Sequence, residues 1–241
     1  MLKIKKNIAV HITSFLVFCA FFLLYGNFGF CAQSQMIVNY RVNSEPTDRS
    51  AISNPSFASI AEHARNVHYY MSQMIFVLTI IEKKSLCKSV EILSEKSSAS
   101  RTAKILTRSG NYYKDFAINK FVKSIVFANK LFNVNFAGDS VWDLSTEYKS
   151  IYGYKCYKAT KQNNSKIVAW YCPSINVSDG PLDFYGLPGL ILEVTYGNVT
   201  YTAYKIEFNK LSNITFNENE VISEDDFTRV KEKYMSDNPI R

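Results

Sequence analysis

Short stretches of alternating apolar and polar residues run through most of this chain, a pattern typical of half-buried β-strands. Residues 37–42 form the first of them, and short apolar runs separated by turn residues follow at 74–81, 88–93, 103–107, 116–127 and 130–136. No helical window separates these runs, so the pattern predicts an antiparallel sheet rather than parallel strands joined by helices. The serine-rich stretch at 97–100 is predicted to be a loop.

Two windows have helical spacing instead. Apolar residues recur every three or four positions from Phe57 to Met71, which predicts an amphipathic helix of about four turns. Near the C-terminus, Ser223 precedes three acids and then Phe227, which predicts a short capped helix that ends before Pro239. The predicted fold class is mainly β (α+β): a single curved antiparallel sheet or open half-barrel packed on one amphipathic helix, with a short C-terminal helix.

The first 32 residues predict a signal peptide. Three lysines precede an apolar run over residues 8–25, and small residues follow this run up to Ala32. Cleavage between Ala32 and Gln33 would leave residues 33–241 as a single exported domain in the periplasm or cell envelope. The leader leaves two alternatives open, an uncleaved membrane anchor and a lipid attached to Cys31.

Composition agrees with one globular, β-rich domain. The 241 residues are 47% hydrophobic and 15% aromatic, and aromatic side chains are favoured on pleated sheets. The formal net charge of +7 falls to +4 when the three leader lysines are removed, and the remaining lysines are scattered among acids. The sequence therefore predicts no nucleic-acid partner, and contact with a membrane only through the export signal.

The C-terminal half carries a distinctive set of aromatic residues, glycines and prolines. They are Trp142, Gly153, Tyr154, Trp170, Gly180 and Pro181, followed by the contiguous string Gly186-Leu187-Pro188-Gly189-Leu190-Ile191. This set resembles the GLPGLI family of secreted proteins from Gram-negative bacteria. The resemblance implies a β-rich periplasmic or envelope protein, with glutamine as its first mature residue and a largely unassigned biochemical function. One departure is Cys172, where relatives usually carry threonine or another polar residue.

The string also has a physical interpretation of its own. Pro188 followed by Gly189 satisfies the backbone requirements of a type II turn. The apolar run at 190–194 predicts a strand covered on both faces, and Gly197-Asn198 predicts a two-residue hairpin after it. Because the string contains no nucleophile, base or metal ligand, we interpret it as a folding signature rather than an active site.

Two cysteines are candidates for a disulfide. If Asn163, Asn164 and Ser165 form a hairpin loop, Cys156 and Cys172 lie directly opposite each other on neighbouring strands. A loop of two or four residues shifts this register, and the alternative is then two buried free thiols. Cys87 is expected to be a small buried residue.

The histidines do not predict a metal site. His63 and His68 are five residues apart in the predicted helix, a rotation of about 140°, so their rings lie on different faces. His68 falls on the apolar stripe and is expected in the core. We predict no metal site, no cofactor and no catalytic constellation.

Three functions remain in competition. The preferred one is a non-enzymatic binding or carrier module that holds an apolar or peptide-like ligand on the aromatic concave side of the sheet. The alternative is a structural component of an envelope complex that docks a protein partner through strand edges or exposed tyrosines. The third is a hydrolase that uses Asp183 or Glu193 beside Tyr185.

Overall fold

The computed structural model describes residues 35–44, 58–91, 96–136, 140–217 and 220–238. The predicted signal peptide, including Cys31 and the expected cleavage site at Ala32, lies outside these residues. So does the turn that was expected to precede the first helix. In the part of the chain that is described, none of the helices combines the length and the apolar character needed to cross a membrane.

The described residues form twelve strands and three helices. The strands are β1 (Gln35–Ser44), β2 (Met74–Ile81), β3 (Lys84–Glu91), β4 (Asn111–Asp115), β5 (Lys120–Phe127), β6 (Lys130–Asn135), β7 (Trp142–Ile151), β8 (Tyr154–Lys161), β9 (Asn164–Cys172), β10 (Leu190–Tyr196), β11 (Val199–Phe208) and β12 (Val221–Ile222). The helices are α1 (Ala58–Ser72), α2 (Ser98–Leu106) and α3 (Glu224–Asp237).

All twelve strands belong to one open sheet, in the order β12-β6-β5-β4-β3-β2-β1-β11-β10-β9-β8-β7. Strands β1–β6 form one meander and β7–β11 a second, and the antiparallel pairing of β1 with β11 joins them. Only the short β12 pairs in parallel, with β6. The prediction of a mainly β protein built on a single antiparallel sheet is confirmed.

One face of the sheet carries most of the core. Alternate residues of β1 and β2, such as Val38, Tyr40 and Phe76, are almost fully buried on this inner face. The rings of Phe76 and Tyr201 meet edge to face, with centroids 5.2 Å apart, an arrangement that the ring quadrupoles favour. The opposite, outer face carries Arg41 and its neighbours in register and is more exposed to solvent.

Two helices, rather than one, contribute to this core. Helix α1 was predicted correctly, and its Val67 joins the core cluster, but so does Ala103 of α2. The prediction of a loop at 97–100 and a strand at 103–107 was therefore wrong. The reason is local: the Ser97 side chain accepts a hydrogen bond from the backbone N–H of Ser100 at 3.1 Å, so the serine caps a helix instead of forming a loop.

His68 is also placed differently from the prediction. Its side chain is exposed on α1, and its Nδ1 lies 2.7 Å from Oγ of Ser44 on β1. The imidazole therefore finds a polar partner at the surface of the helix instead of packing in the core.

The C-terminal helix is confirmed. Oγ of Ser223 accepts a hydrogen bond from the backbone N–H of Asp226 at 3.0 Å, and three acids occupy the first turn, where they offset the helix dipole. Phe227 is buried against the rings of Phe127 and Phe132. The helix thereby covers the outer end of the first meander.

The β8–β9 hairpin has the register that was expected, but a different turn. Tyr157 pairs with Tyr171 and Thr160 with Val168, whereas β9 already begins at Asn164. The pairing shifts at a bulge after Thr160, so that the next residue, Lys161, pairs with Asn164. This bulge, rather than a three-residue loop, produces the expected register. Continued by one pair, this register places Cys156 opposite Cys172. Both cysteines, like Cys87, are buried free thiols, and the described part of the chain does not contain a disulfide.

The pairing of these two cysteines stays a prediction. We expect the protein exported by a Gram-negative host to be two hydrogen atoms lighter than its reduced form, because facing thiols oxidise readily in that compartment. Intact-mass measurement before and after reduction checks this, with Cys172→Ser as the control that removes the difference. Alkylation of all three thiols after denaturation without a reductant would contradict the prediction.

Candidate functional site

The segment between β9 and β10, residues 173–189, is called the motif loop here because it ends in the glycine-rich string. Its side chains Leu182, Phe184 and Leu187 are 0%, 4% and 1% exposed and belong to the same core cluster as Tyr40 and Phe76. The motif loop thus packs onto the inner face of the sheet. It occupies part of the face that the sequence assigned to a ligand.

The backbone of the motif loop folds back on itself. Asp179 and Tyr185 form an isolated antiparallel bridge, and the Gly186 N–H donates to the Ser178 carbonyl at 3.3 Å. The string then leaves this turn directly into β10, where Leu190, Ile191 and Leu192 are all fully buried. A strand covered on both faces was predicted for residues 190–194. The burial of residues 190–192 and of Val194 agrees with it, whereas Glu193 is only partly buried, so the outer face is not fully covered there.

The turn at Pro188 is tighter than the predicted type II turn. The Gly189 N–H donates to the Leu187 carbonyl at 2.8 Å, whereas the Leu190 N–H donates to Ile175 at 3.1 Å. This is a three-residue turn centred on Pro188 rather than a four-residue one, so the predicted turn type was wrong. The expectation of a positive φ at Gly189 is correct, with a value of +150°.

Two glycines allow the motif loop to lie close to its surroundings. A Cβ atom at Gly189 would collide with the backbone carbonyl of Cys172, and one at Gly180 would lie 2.7 Å from Cβ of Ile191. Both positions need glycine because of space, and Gly189 also because of its dihedral angle. Close packing, together with the dihedral angle at Gly189, therefore explains the glycines at these two positions.

The other motif residues fall into three places. The indole N–H of Trp142 donates to the Tyr185 carbonyl at 2.9 Å, which ties β7 to the motif loop. Gly153, with a φ of +80°, and Tyr154 lie at the β7–β8 turn. Trp170 is paired with Glu193 in register and so lies on the outer face. The structure gathers Trp142, Gly180, Pro181 and the string around one loop, and leaves Gly153, Tyr154 and Trp170 outside it.

A buried ion pair fixes the motif loop to the sheet. Lys114 of β4 is 0% exposed, and its ammonium group donates to the carbonyls of Gly180 at 2.9 Å and Leu182 at 3.0 Å while it pairs with the Asp179 carboxylate. The second carboxylate oxygen of Asp179 has no hydrogen-bond partner among the residues that the structure describes. Sequence reasoning missed Lys114, because one lysine among scattered lysines gives no sign that it is buried.

A second ion pair joins the motif loop to helix α2. The Arg108 guanidinium, just after the helix, binds both carboxylate oxygens of Asp183 and lies 5.7 Å from the Phe184 ring centroid. Burial raises the pKa of Asp183, but the adjacent guanidinium outweighs it and holds the pKa below its usual value. Asp183 is therefore an ionised partner of Arg108 and has no proton to give in neutral solution.

The outer face carries a groove of about 470 Å³, called the outer-face groove here. Residues from β1, β7, β10, β11 and the β7–β8 turn line it, among them Arg41, Lys149, Tyr152, Glu193, Thr202 and Tyr204. Three of them are neighbours in register, since Arg41 faces Thr202 and Thr202 faces Glu193. The groove is thus built mainly on paired strands, with Tyr152 added from the β7–β8 turn.

Glu193 holds the centre of the groove in a fixed network. One carboxylate oxygen accepts from Lys149 at 2.5 Å and the other from the Thr202 hydroxyl at 3.0 Å. The Lys149 ammonium also lies 4.3 Å from the ring centroid of Trp170, within range of a cation–π interaction. Glu193 is therefore occupied on both oxygens.

The two acids proposed for hydrolysis do not form a pair. Glu193 lies on the outer face beside Thr202. Asp183 belongs to the motif loop on the inner face, where burial and the negative charge of Asp183 raise the pKa of Tyr201, a residue that faces the core. The ring of Tyr185 is stacked on Phe121, with centroids 4.9 Å apart. Among the residues the structure describes, moreover, no three His, Cys, Asp or Glu side chains converge to hold a metal ion.

Fold and site together define a mainly β protein whose single open sheet is covered on its inner face by its own motif loop. Residues 160–193, which include the whole of this loop, match the family model described as "Protein of unknown function (Porph_ging)". No curated protein matches the chain.

A solved structure of PNGF-II has a similar fold. The TM-score is 0.53 at 16% sequence identity, over 84% of this chain. The match spans 34% of the PNGF-II chain, so this chain corresponds to about a third of that protein. At this identity the likeness concerns the fold alone.

The first prediction from this site concerns Lys114. In Lys114→Met the buried Asp179 loses its counter-ion and two carbonyls lose their donor, so we expect the free energy of unfolding to fall by about 3–5 kcal/mol. Urea unfolding measures it. Lys210→Met, which breaks the exposed pair with Glu207, is the control and is expected to cost less than about 1 kcal/mol. Equal losses in the two variants would show that Lys114 does not anchor the motif loop.

The second prediction concerns Gly189. We expect Gly189→Ala to lower the free energy of unfolding by about 3 kcal/mol, because the new methyl group meets the Cys172 carbonyl and the backbone angle is strained. Gly197→Ala is the matched control, since its φ of +60° is also positive but its surroundings are open. The control is expected to cost about 1 kcal/mol in the same urea measurement. A Gly189→Ala variant as stable as the control would refute the steric account.

Proposed function

We propose that this chain is an exported, non-enzymatic binding module of the periplasm or cell envelope that takes a peptide-like ligand in the outer-face groove. The leader-like residues 1–32 and the resemblance to the GLPGLI family support export. The matched family model has no assigned function, so the nature of the ligand has to be argued from the groove itself.

The observation that carries the proposal is the contrast between the two faces of the sheet. On the inner face, the space suited to an apolar ligand is taken by Leu182, Phe184 and Leu187 of the motif loop. On the outer face, an open groove presents fixed charges, hydroxyl groups and two tyrosine rings. Such a mixture suits the alternating polar and apolar groups of a peptide better than a purely apolar molecule.

The same geometry gives no support to a hydrolase. Acid–base catalysis needs a group that is positioned at the substrate and able to exchange a proton. Asp183 is bound to Arg108, Glu193 is bound to Lys149 and Thr202, and the two acids lie on opposite faces. A binding role needs no proton transfer and is compatible with both acids being held in ion pairs.

A second candidate function is docking of a protein partner along β7. This ten-residue strand forms one edge of the sheet, and most of its residues are exposed. An open edge offers backbone donors and acceptors to a strand from another protein. Tyr148, which is 63% exposed, would lie beside such a strand.

A test of the proposed function uses residues 33–241 labelled with nitrogen-15 and a mixture of N-acetylated tripeptides as the probe. We expect amide shifts at the groove residues of β1, β10 and β11, and their loss in Thr202→Tyr, because the larger side chain fills the groove. Thr160→Tyr, on β8 outside the groove lining, is the matched control and should keep the shifts. Shifts confined to β7 would favour the docking alternative, and an unchanged spectrum would overturn peptide binding.

A further inference from the structure

The charges that line the outer-face groove are not balanced. Two of the lining residues are cations, Arg41 and Lys149, and only Glu193 is an acid. The Lys149 ammonium is committed to Glu193 at 2.5 Å and to the face of Trp170. Arg41 is exposed and has no ion pair or hydrogen bond to a side chain within the described residues. The positive charge left over in the groove therefore belongs to Arg41.

We propose that Arg41 recognises a carboxylate, so that the outer-face groove selects peptide-like ligands by their free C-terminal end. This inference rests on the proposed function and names the ligand group that the groove distinguishes. A guanidinium group matches a carboxylate with two parallel N–H donors, which makes arginine better suited to this task than lysine.

The acidic residue of the groove, Glu193, also favours a ligand end that carries a carboxylate over one that carries an ammonium group. Both oxygens of Glu193 already accept hydrogen bonds, from Lys149 and from Thr202. The negative charge of Glu193 is thus already paired with the Lys149 ammonium group, and each of its oxygens has given one acceptor site to a neighbour within the protein. A cationic ligand end would meet Arg41 without a free counter-charge, whereas an anionic end would meet a free donor.

The two tyrosines place the rest of the ligand next to this charge. Tyr152, in the β7–β8 turn, is 52% exposed, and its ring stacks on Tyr154 with centroids 6.5 Å apart. Tyr204 lies at an irregularity in the pairing of β11 with β1, and it lines the groove with Thr202. The side chain that precedes the carboxylate can pack against these rings while the carboxylate contacts Arg41.

The test compares two probes at low ionic strength in a buffer free of carboxylates. One probe is the N-acetylated tripeptide mixture with free C-terminal carboxylates, and the other is the same mixture with C-terminal amides. We expect the free acids to bind about tenfold more tightly, as one exposed charge-assisted contact provides, measured by titration of groove amide shifts. In Arg41→Gln the affinity for the acids should fall to that for the amides, which should be unchanged.

Controls separate charge recognition from general damage. Arg65→Gln removes an exposed arginine of α1, outside the groove lining, and should leave the preference for acids intact. Arg41→Lys should restore only part of that preference, because an ammonium group lacks the planar pair of donors. An unchanged urea midpoint in each variant shows that the fold is preserved.

The outcomes distinguish this inference from the proposed function. If wild-type protein binds acids and amides equally, or if Arg41→Gln weakens both equally, the carboxylate inference is overturned while peptide binding stands. If neither mixture binds, peptide binding itself is wrong and the inference is overturned with it. A preference for acids that is lost only in Arg41→Gln supports both.

Discussion

The buried ammonium group of Lys114 is the interaction on which the arrangement of the molecule depends. A single open sheet must cover its apolar face with other parts of the chain, and a covering loop brings backbone carbonyls that need hydrogen-bond donors when buried. Lys114 supplies donors to two such carbonyls, at Gly180 and Leu182, and Asp179 balances its charge. These contacts hold a loop rich in glycine and proline on the core side of the sheet.

This anchoring decides which surface is available for function. Because the motif loop covers the inner face, the string of glycines and leucines is a packing element. Gly189 is required by the close approach of Cys172, and Gly186 by that of Ser140. The polar residues of β1, β10 and β11 are left on the opposite face, where regular strands hold them at fixed spacing. The division between a self-covered face and a polar open face underlies the proposed binding role.

Most of the local structure follows from local sequence. Three features were predicted because each depends only on residues that are close together in the sequence. They are the strand at residues 37–42, the helix cap at Ser223 and the hairpin at Gly197-Asn198. Helix α2 was missed because it is short and presents mainly alanine to the core, so its apolar signal is weak. The turn at Pro188 was assigned the wrong type because Leu190 donates to Ile175, a partner outside the string.

The sequence by itself determined a mainly β chain and a glycine-dependent loop, since backbone preference and side-chain periodicity act over short distances. Tertiary structure decided that Lys114 reaches Asp179 and that Arg41, Thr202 and Glu193 become neighbours. Lys114 lies far from Asp179 along the chain, and Arg41 far from Thr202, whereas the Gly197-Asn198 hairpin already sets Thr202 opposite Glu193. A shift of one residue in the pairing of β1 with β11 would turn Arg41 to the other face, and no local pattern in the sequence specifies that choice.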